Sequence, residues 1–292
     1  MPDLSIVIVN YNTCAPLRLC LESIERERGT LALETLVIDN GSADGSTQMI
    51  HEIATQAPGA NIRLIEPGHN TWFSGGNNLG VQQASSDYVL LLNPDTIVQP
   101  AMLQTMLAYL REHEQVGAIS CRMTFPDGRL QRTCSRQPRY IDLLLGYTFL
   151  GALFVGWRNR RRAQMWYADW QRDSEKSVEV LPGSCIMAPR QLLNAVGTFS
   201  TDYRLYFVED DMCPRIRALG YDVRLVPDAL VSHEEHASVK QVQRLASHIY
   251  FDDLLVFCRK HYGGARATLL YALMAPTRLL MDIAQRLRGA RA

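Results

Sequence analysis

Asp95 closes an abrupt transition in the chain. Tyr88–Leu92 is apolar, and Asn93, Pro94 and Asp95 follow at once. A run so short and apolar reads as a strand buried on both faces, as in the centre of a parallel sheet. Pro94 cannot donate to a ladder, so the strand stops there. Asp95 is then delivered to the carboxyl end of a central strand, where open α/β sheets bind ligands. A carboxylate there suits a hard divalent cation on a nucleotide diphosphate; taken alone, it is an ordinary turn Asp. A second acidic group, Glu209-Asp210-Asp211, opens a helical pattern. Taken alone, that run complements the helix macrodipole. His233 follows a short strand pattern, and His233-Glu234-Glu235-His236 has its His residues at i, i+3 rather than the i, i+4 of a zinc-protease helix.

Three more polar groups follow strand patterns: Asn10-Tyr11-Asn12, Asp39-Asn40-Gly41-Ser42, and Asn70 through Asn78. A ring such as Tyr11 can cover a flat base, and a carboxylate such as Asp39 can accept from a base N–H. Gly75 and Gly76 allow close backbone approach, and helix-start N–H groups favour anions. The Gly-Gly-Asn-Asn run is not a GxGxxG fingerprint.

The elements that must position these groups alternate over the first 120 residues. Strand patterns cover 4–9, 33–38, 61–65, 88–92 and 116–120; helical patterns cover 16–27, 46–57, 75–84 and 100–112. Repeated βα units predict a mostly parallel sheet with helices on both faces. The pattern then breaks. Residues 123–132 read as a hairpin around Pro126-Asp127-Gly128. Strands are predicted over 178–181, 184–188, 221–226 and 229–232, with helices over 189–196 and 210–219. Gly220 caps the last of these, and the chain reads as helical from Val239 onward. Over 292 residues, Lys plus Arg and Asp plus Glu both number 30, so no global field favours nucleic acid. Seven Cys without a CxxC pair predict buried thiols in a reducing compartment rather than disulfides or a zinc site. Leu4–Val9 is too short and lacks a basic flank for a signal peptide.

In combination these segments resemble inverting glycosyltransferase family 2, which has the GT-A fold. The resemblance is carried by Ser5–Asn12, Val37–Ser42, Phe73–Asn78 and Leu92–Asp95. In the second half it is carried by Leu181–Cys185, Tyr206–Asp211 and Val231–His233. It covers roughly residues 4–238 in order, and Asn-Pro-Asp with Gly-Gly-Asn-Asn looks most like the rhamnosyltransferase branch that builds bacterial surface polysaccharides. The resemblance implies a GT-A domain over 1–238, with a nucleotide-sugar half at 1–120, a mixed acceptor half at 121–238 and a helical tail at 239–292. It implies a nucleotide-diphosphate sugar donor, best read as dTDP-rhamnose, with a UDP- or GDP-sugar as the alternative. It implies Mg²⁺ or Mn²⁺ on the diphosphate and a glycan or lipid-linked acceptor. Val9, Asn10, Tyr11, Asp39, Asn40, Gly75, Gly76, Asn77 and Asn93 would surround the donor. Asp95 and His233 would lie at the metal, Asn93 standing where the family often has a first Asp. Asp210 would be the base that takes the acceptor proton, with Glu209 and Asp211 as alternatives, a role typically worth about 10²–10⁴-fold.

Ile141–Trp157 is apolar and aromatic and runs into Arg158, Arg160, Arg161 and Arg162. It reads either as a buried core segment or as a monotopic segment on an anionic membrane surface. The stretch Ala265–Arg291, with Leu269, Leu270, Leu279, Leu280 and several Arg, reads the same way or as an oligomer interface. These features predict a cytoplasmic protein at the inner face of the membrane. A nucleotidyltransferase is disfavoured by the first turn, Asn10-Tyr11-Asn12, which lacks the usual Gly-rich, basic character. A dehydrogenase is disfavoured because no GxGxxG follows the first strand. A non-catalytic nucleotide-sugar sensor is the reading of a different class.

Overall fold

The computed structural model describes residues 1–56, 59–234 and 243–289, excluding the side chains of 243, 244 and 279–289. The sequence expectations at Ala57, Glu235, His236, Val239 and Arg291 lie outside the described residues. Strands β1 (Leu4–Asn10), β2 (Leu33–Asp39), β3 (Ile62–Ile65) and β4 (Tyr88–Leu92) run parallel in the order β3-β2-β1-β4. The sheet continues through β8 (Cys185–Pro189), β6 (Val116–Thr124), β9 (Asp222–His233) and β5 (Thr96–Val98), and β7 (Lys176–Ser177) pairs with β9. Here directions mix. β8 is antiparallel to β4 and β6, β6 and β9 are parallel, and β5 is antiparallel to β9.

Period-two alternation sends β1 side chains to two cores. Val7 joins Leu36, Ile38 and Leu91 under α3 (Trp72–Gln83), α8 (Arg190–Val196), α9 (Val208–Ala218), α10 (Gln243–Tyr262) and α11 (Gly264–Gly289). Ile6 and Ile8 join Leu90 under α1 (Cys14–Glu27), α2 (Ser46–Gln56) and α4 (Met102–Glu112). The doubly covered sheet is the GT-A architecture. The cysteines are all free, and six are buried, as small core residues.

Several local expectations change. Helix α3 starts at Trp72, not Gly75. Residues 178–181 add no strand, since only Val180 makes an isolated bridge, to Ser135. The two short strands predicted between 221 and 232 are one strand, β9, whose pairing with β6 slips between Val226 and Leu230. The apolar stretch from 141 breaks into α5 (Tyr140–Tyr147), α6 (Leu150–Leu153) and α7 (Val155–Met165). Leu143 and Leu145 enter the core, while Phe149 and residues 153–155 stay exposed. Among the described residues no helix is long and apolar enough to cross a membrane.

Candidate active site

Strand direction gathers the polar groups on one sheet edge. The carboxyl ends of parallel β1, β2 and β4 lie there, and antiparallel β8 starts there. Asn10 Nδ2 donates to Asp39 Oδ2 (2.7 Å) and Ser42 Oγ (3.0 Å). Asp39 Oδ1 accepts the Gly41 and Ser42 backbone N–H groups at 3.0 and 2.8 Å. Asp39 is buried, and both its oxygens accept hydrogen bonds within this edge. Asn40 ties this edge to α3: its Oδ1 accepts from Thr71 N and Oγ1, and its Nδ2 donates to the Trp72 carbonyl. Trp72 starts the helix in the left-handed region, at φ 60°.

Gly76 has a packing role. A Cβ there would sit 2.9 Å from both Val9 methyls, so α3 rides directly on β1. Asn77 donates to the Phe73 carbonyl, inside the helix. Asn78 exchanges hydrogen bonds with the Phe199 backbone, which couples α3 to the second half of the chain. Val9 and Tyr11 are half-buried on the same edge.

Asp95 and His233 are brought together by strand register. β5 follows Asp95 and pairs antiparallel with β9, so Thr96 faces His233. His233 Nε2 lies 3.3 Å from Asp95 Oδ1, and both side chains are buried. Gln131 fixes the ring. Its Nε2 donates to the His233 carbonyl at 2.7 Å, which turns its Oε1 to His233 Nδ1 at 3.1 Å. The ring is thereby set with Nδ1 towards Gln131 and Nε2 towards Asp95. Two donors of one metal at right angles stand about 3 Å apart when each bond is about 2.1–2.2 Å. The spacing of the pair is compatible with two ligands of one divalent cation. Among the described residues no group of three or more His, Cys, Asp or Glu converges on one point, here or elsewhere.

The acids of α9 fall into two environments. Phe207 precedes the helix in the left-handed region (φ 61°), a position a bulky residue holds only where packing enforces it. Its ring packs on Tyr250 and Phe257. Pro214 lacks the N–H that would bond the Asp210 carbonyl, and Gln137 Nε2 approaches that oxygen at 3.4 Å instead. Glu209 and Asp210 line a cavity of ≈ 670 Å³ together with Tyr147, Tyr206 and Tyr250. Burial raises the Asp210 carboxyl to about 7, with nearby His261 pulling the other way. Burial and then the Asp210 charge raise Glu209 to about 8. Burial thus moves both carboxyls up towards neutral pH, and as neighbours they titrate as a pair. A Cβ on Gly183 would meet Glu209 Oε1 at 1.7 Å, so glycine here lets the Glu209 carboxyl lie directly against the loop. The next residue, Ser184, accepts from Asn93 N at 3.0 Å, so one loop joins the acids to the end of β4.

Asp211 turns away from the cavity. It is buried against Lys260 (3.0 Å), His261 (3.1 Å) and Arg215 (3.1 Å). Burial raises its carboxyl, but hydrogen bonds from His261 and Lys260 and the Arg215 charge outweigh that and hold it at about 2. Its contacts make it an anchor for α10. Asp211→Asn is expected to cost about 2–3 kcal/mol, below the range for a fully buried pair because its cationic partners are partly exposed. Denaturant melts check this. The depressed carboxyl contributes stability above the unfolded value of about 3.9, and the contribution is lost as pH falls towards about 2.

Gln131, Lys260 and His261 carry no motif of their own. Their roles come from contacts 49 to 102 residues away in the chain.

Comparison with known proteins agrees with this geometry. Residues 5–197 match the family model described as Glycosyl transferase family 2. The chain is 26% identical over 271 residues to N-acetylglucosaminyl-diphospho-decaprenol L-rhamnosyltransferase of Mycobacterium tuberculosis (strain CDC 1551 / Oshkosh), covering 86% of this chain and 84% of that protein. It is 24% identical over 221 residues to the low-salt glycan biosynthesis hexosyltransferase Agl10 of Haloferax volcanii, covering 74% and 62%. Among solved structures, the mannosyltransferase PcManGT from Pyrobaculum calidifontis, in complex with GDP-Man and Mn²⁺, superposes with TM-score 0.59 at 18% identity, over 94% of this chain and 69% of that one. GalNAc-T7 with UDP, GalNAc and Mn²⁺ also gives 0.59, at 12% identity, over 80% and 43%. At these identities the structural likeness is one of fold. The shared sheet edge, the ordered motifs along it and the match over 5–197 lead to one conclusion: the chain belongs to glycosyl transferase family 2.

Proposed function

We propose that the chain is an inverting, metal-dependent transferase that moves L-rhamnose from dTDP-rhamnose to a lipid-linked acceptor in surface-polysaccharide synthesis. The observation that carries this reading is the Asp95–His233 pair on the same sheet edge as a cavity lined by an ionisable Asp210. The rhamnosyltransferase relative supports the sugar and the kind of acceptor. Asp95 and His233 would hold Mg²⁺ or Mn²⁺, and the imidazole donor favours Mn²⁺, since Mg²⁺ takes oxygen ligands. When bound, the cation neutralises charge on the departing diphosphate. Tyr11 covers the base, and Asp39 Oδ2 accepts from it. Gln131 keeps the His233 ring oriented. Asp210 takes the acceptor proton as the hydroxyl attacks the anomeric carbon in line. Glu209, protonated at neutral pH, limits negative charge beside it.

The protein would work at the inner face of the cytoplasmic membrane, which flotation with anionic against neutral liposomes tests. The donor is tested by thermal shift with Mn²⁺, comparing dTDP-rhamnose with UDP- and GDP-sugars. The largest shift is expected for dTDP-rhamnose. A larger shift with a GDP- or UDP-sugar overturns the sugar and keeps the transferase. Binding without hydrolysis or transfer to any acceptor would favour a sensor.

A further inference from the structure

One insertion both walls the cavity and stands out into solvent. Residues 142, 143 and 145–147, in α5, and residues 158, 161, 162, 165 and 166, around α7, line it. Between these two legs the tip carries Phe149, Leu153, Phe154, Val155 and Trp157, all exposed, with Leu153 at 67% and Phe154 at 52%. Phe154 and Trp157 meet edge to face at 6.4 Å, so the apolar tip is one cluster rather than scattered side chains.

The charges follow immediately. Arg158, Arg161 and Arg162 face the cavity. Arg161 is committed to Asp142 by a bidentate pair, Nε–Oδ1 at 2.6 Å and Nη2–Oδ2 at 3.0 Å. Arg158 and Arg162 make no carboxylate pair among the described residues, and Arg158 Nε reaches only the Asn159 side chain, at 3.4 Å. The positive group acting on Asp210 is His261, not these arginines, so they do not serve to ionise the base. Two guanidinium groups with unused donors therefore share a cavity with the base while standing off from its carboxylate. Guanidinium forks match phosphate oxygens in pairs. An exposed apolar tip beside them suits a hydrocarbon chain.

From Asp210 to the arginines to the tip, the order is proton acceptor, cation, apolar surface. A molecule that presents a sugar hydroxyl, then a diphosphate, then a hydrocarbon chain has the matching order. We propose that Arg158 and Arg162 bind the diphosphate of a lipid-linked acceptor in this cavity, with the Phe149–Trp157 tip against its chain. The proposal rests on the transferase reading and concerns the acceptor side alone.

The test is calorimetry on the full chain without donor, using geranylgeranyl diphosphate, geranylgeranyl monophosphate and inorganic pyrophosphate as probes. Wild type is expected to bind the prenyl diphosphate most tightly. Arg158→Ala/Arg162→Ala should weaken it about 10–100-fold, the cost of one or two charge-assisted hydrogen bonds. Phe154→Ser/Trp157→Ser should weaken the prenyl diphosphate and leave pyrophosphate unchanged. Arg158→Lys/Arg162→Lys, which keeps both charges, should recover part of the loss, and matched melting curves exclude misfolding. Equal affinity in wild type and the double Ala variant overturns the proposal. So does pyrophosphate binding as tightly as the prenyl compound, which would mark a site for a free anion. So does binding only to anionic vesicles, which would mark a membrane surface. Titration of dTDP-rhamnose with Mn²⁺ separates the two readings. Donor binding with no prenyl-diphosphate binding overturns this inference and leaves the transferase standing. Prenyl-diphosphate binding with no nucleotide-sugar binding overturns both the transferase and the acceptor role.

Discussion

Asp210→Asn is expected to lower transfer by about 10²–10⁴-fold while leaving donor affinity unchanged. Asparagine keeps the size and polarity of the side chain but cannot take a proton at neutral pH. The proposed donor contacts, Asp39 and Asp95, are on other elements, so binding should persist. The loss marks an interaction made mainly in the transition state. Wild-type kcat/KM should carry an acidic limb near the Asp210 value of about 7, rising with pH as the carboxyl ionises. Glu209 is its neighbour, so the observed value belongs to the pair. The limb should vanish from the residual activity of Asp210→Asn. Stability should move the other way. A carboxyl raised by burial holds its proton more tightly in the folded state. Stability is therefore lost as pH climbs from about 3.9 towards the folded value of about 7. The Asn variant should melt at or above wild type at pH 8. If Glu209→Gln abolishes transfer and Asp210→Asn does not, the two acids exchange roles.

The second large effect is expected at the metal pair. Asp95→Ala should remove the Mn²⁺-dependent part of donor affinity, so that calorimetry with Mn²⁺ and with EDTA gives nearly the same value. Gln131→Leu is the subtler probe. It leaves both proposed metal ligands in place but frees the ring that Gln131 now orients at 3.1 Å. A loss of about 10–100-fold in metal affinity is expected, as for other outer-shell partners. Unchanged metal-dependent affinity in Asp95→Ala removes Asp95 from the site.

The parallel half of the sheet was legible because its strands are short, apolar and closed by Asn, Asp or Pro. The β4 boundary at Leu92 and the placement of Asp95 both follow from that pattern. The closeness of His233 to Asp95 came from family resemblance, because the linking element is invisible locally. β5 has three residues, Thr96–Val98, too few to show a period. Gln131 follows a turn and carries no local signal, yet its contact with His233 orients the ring. The three acids of α9 look alike in sequence. What separates them is tertiary: Lys260 and His261 reach Asp211 from α10, while Glu209 and Asp210 face a cavity. The apolar segment from 141 stayed open between two readings for a similar reason. Leu143 and Leu145 are core and Phe154 and Leu153 are surface, and composition cannot divide one apolar stretch between the two.

The central claim joins a metal-held nucleotide sugar to a base at Asp210. The most direct measurement is the anomeric configuration, by NMR, of product formed from dTDP-rhamnose, Mn²⁺ and a prenyl-diphosphate-linked sugar acceptor. The same reaction is run with Asp210→Asn. The expected result is an inverted linkage from wild type, with EDTA and Asp210→Asn each reducing its yield by orders of magnitude. A product with retained configuration, or undiminished product from Asp210→Asn, contradicts the account.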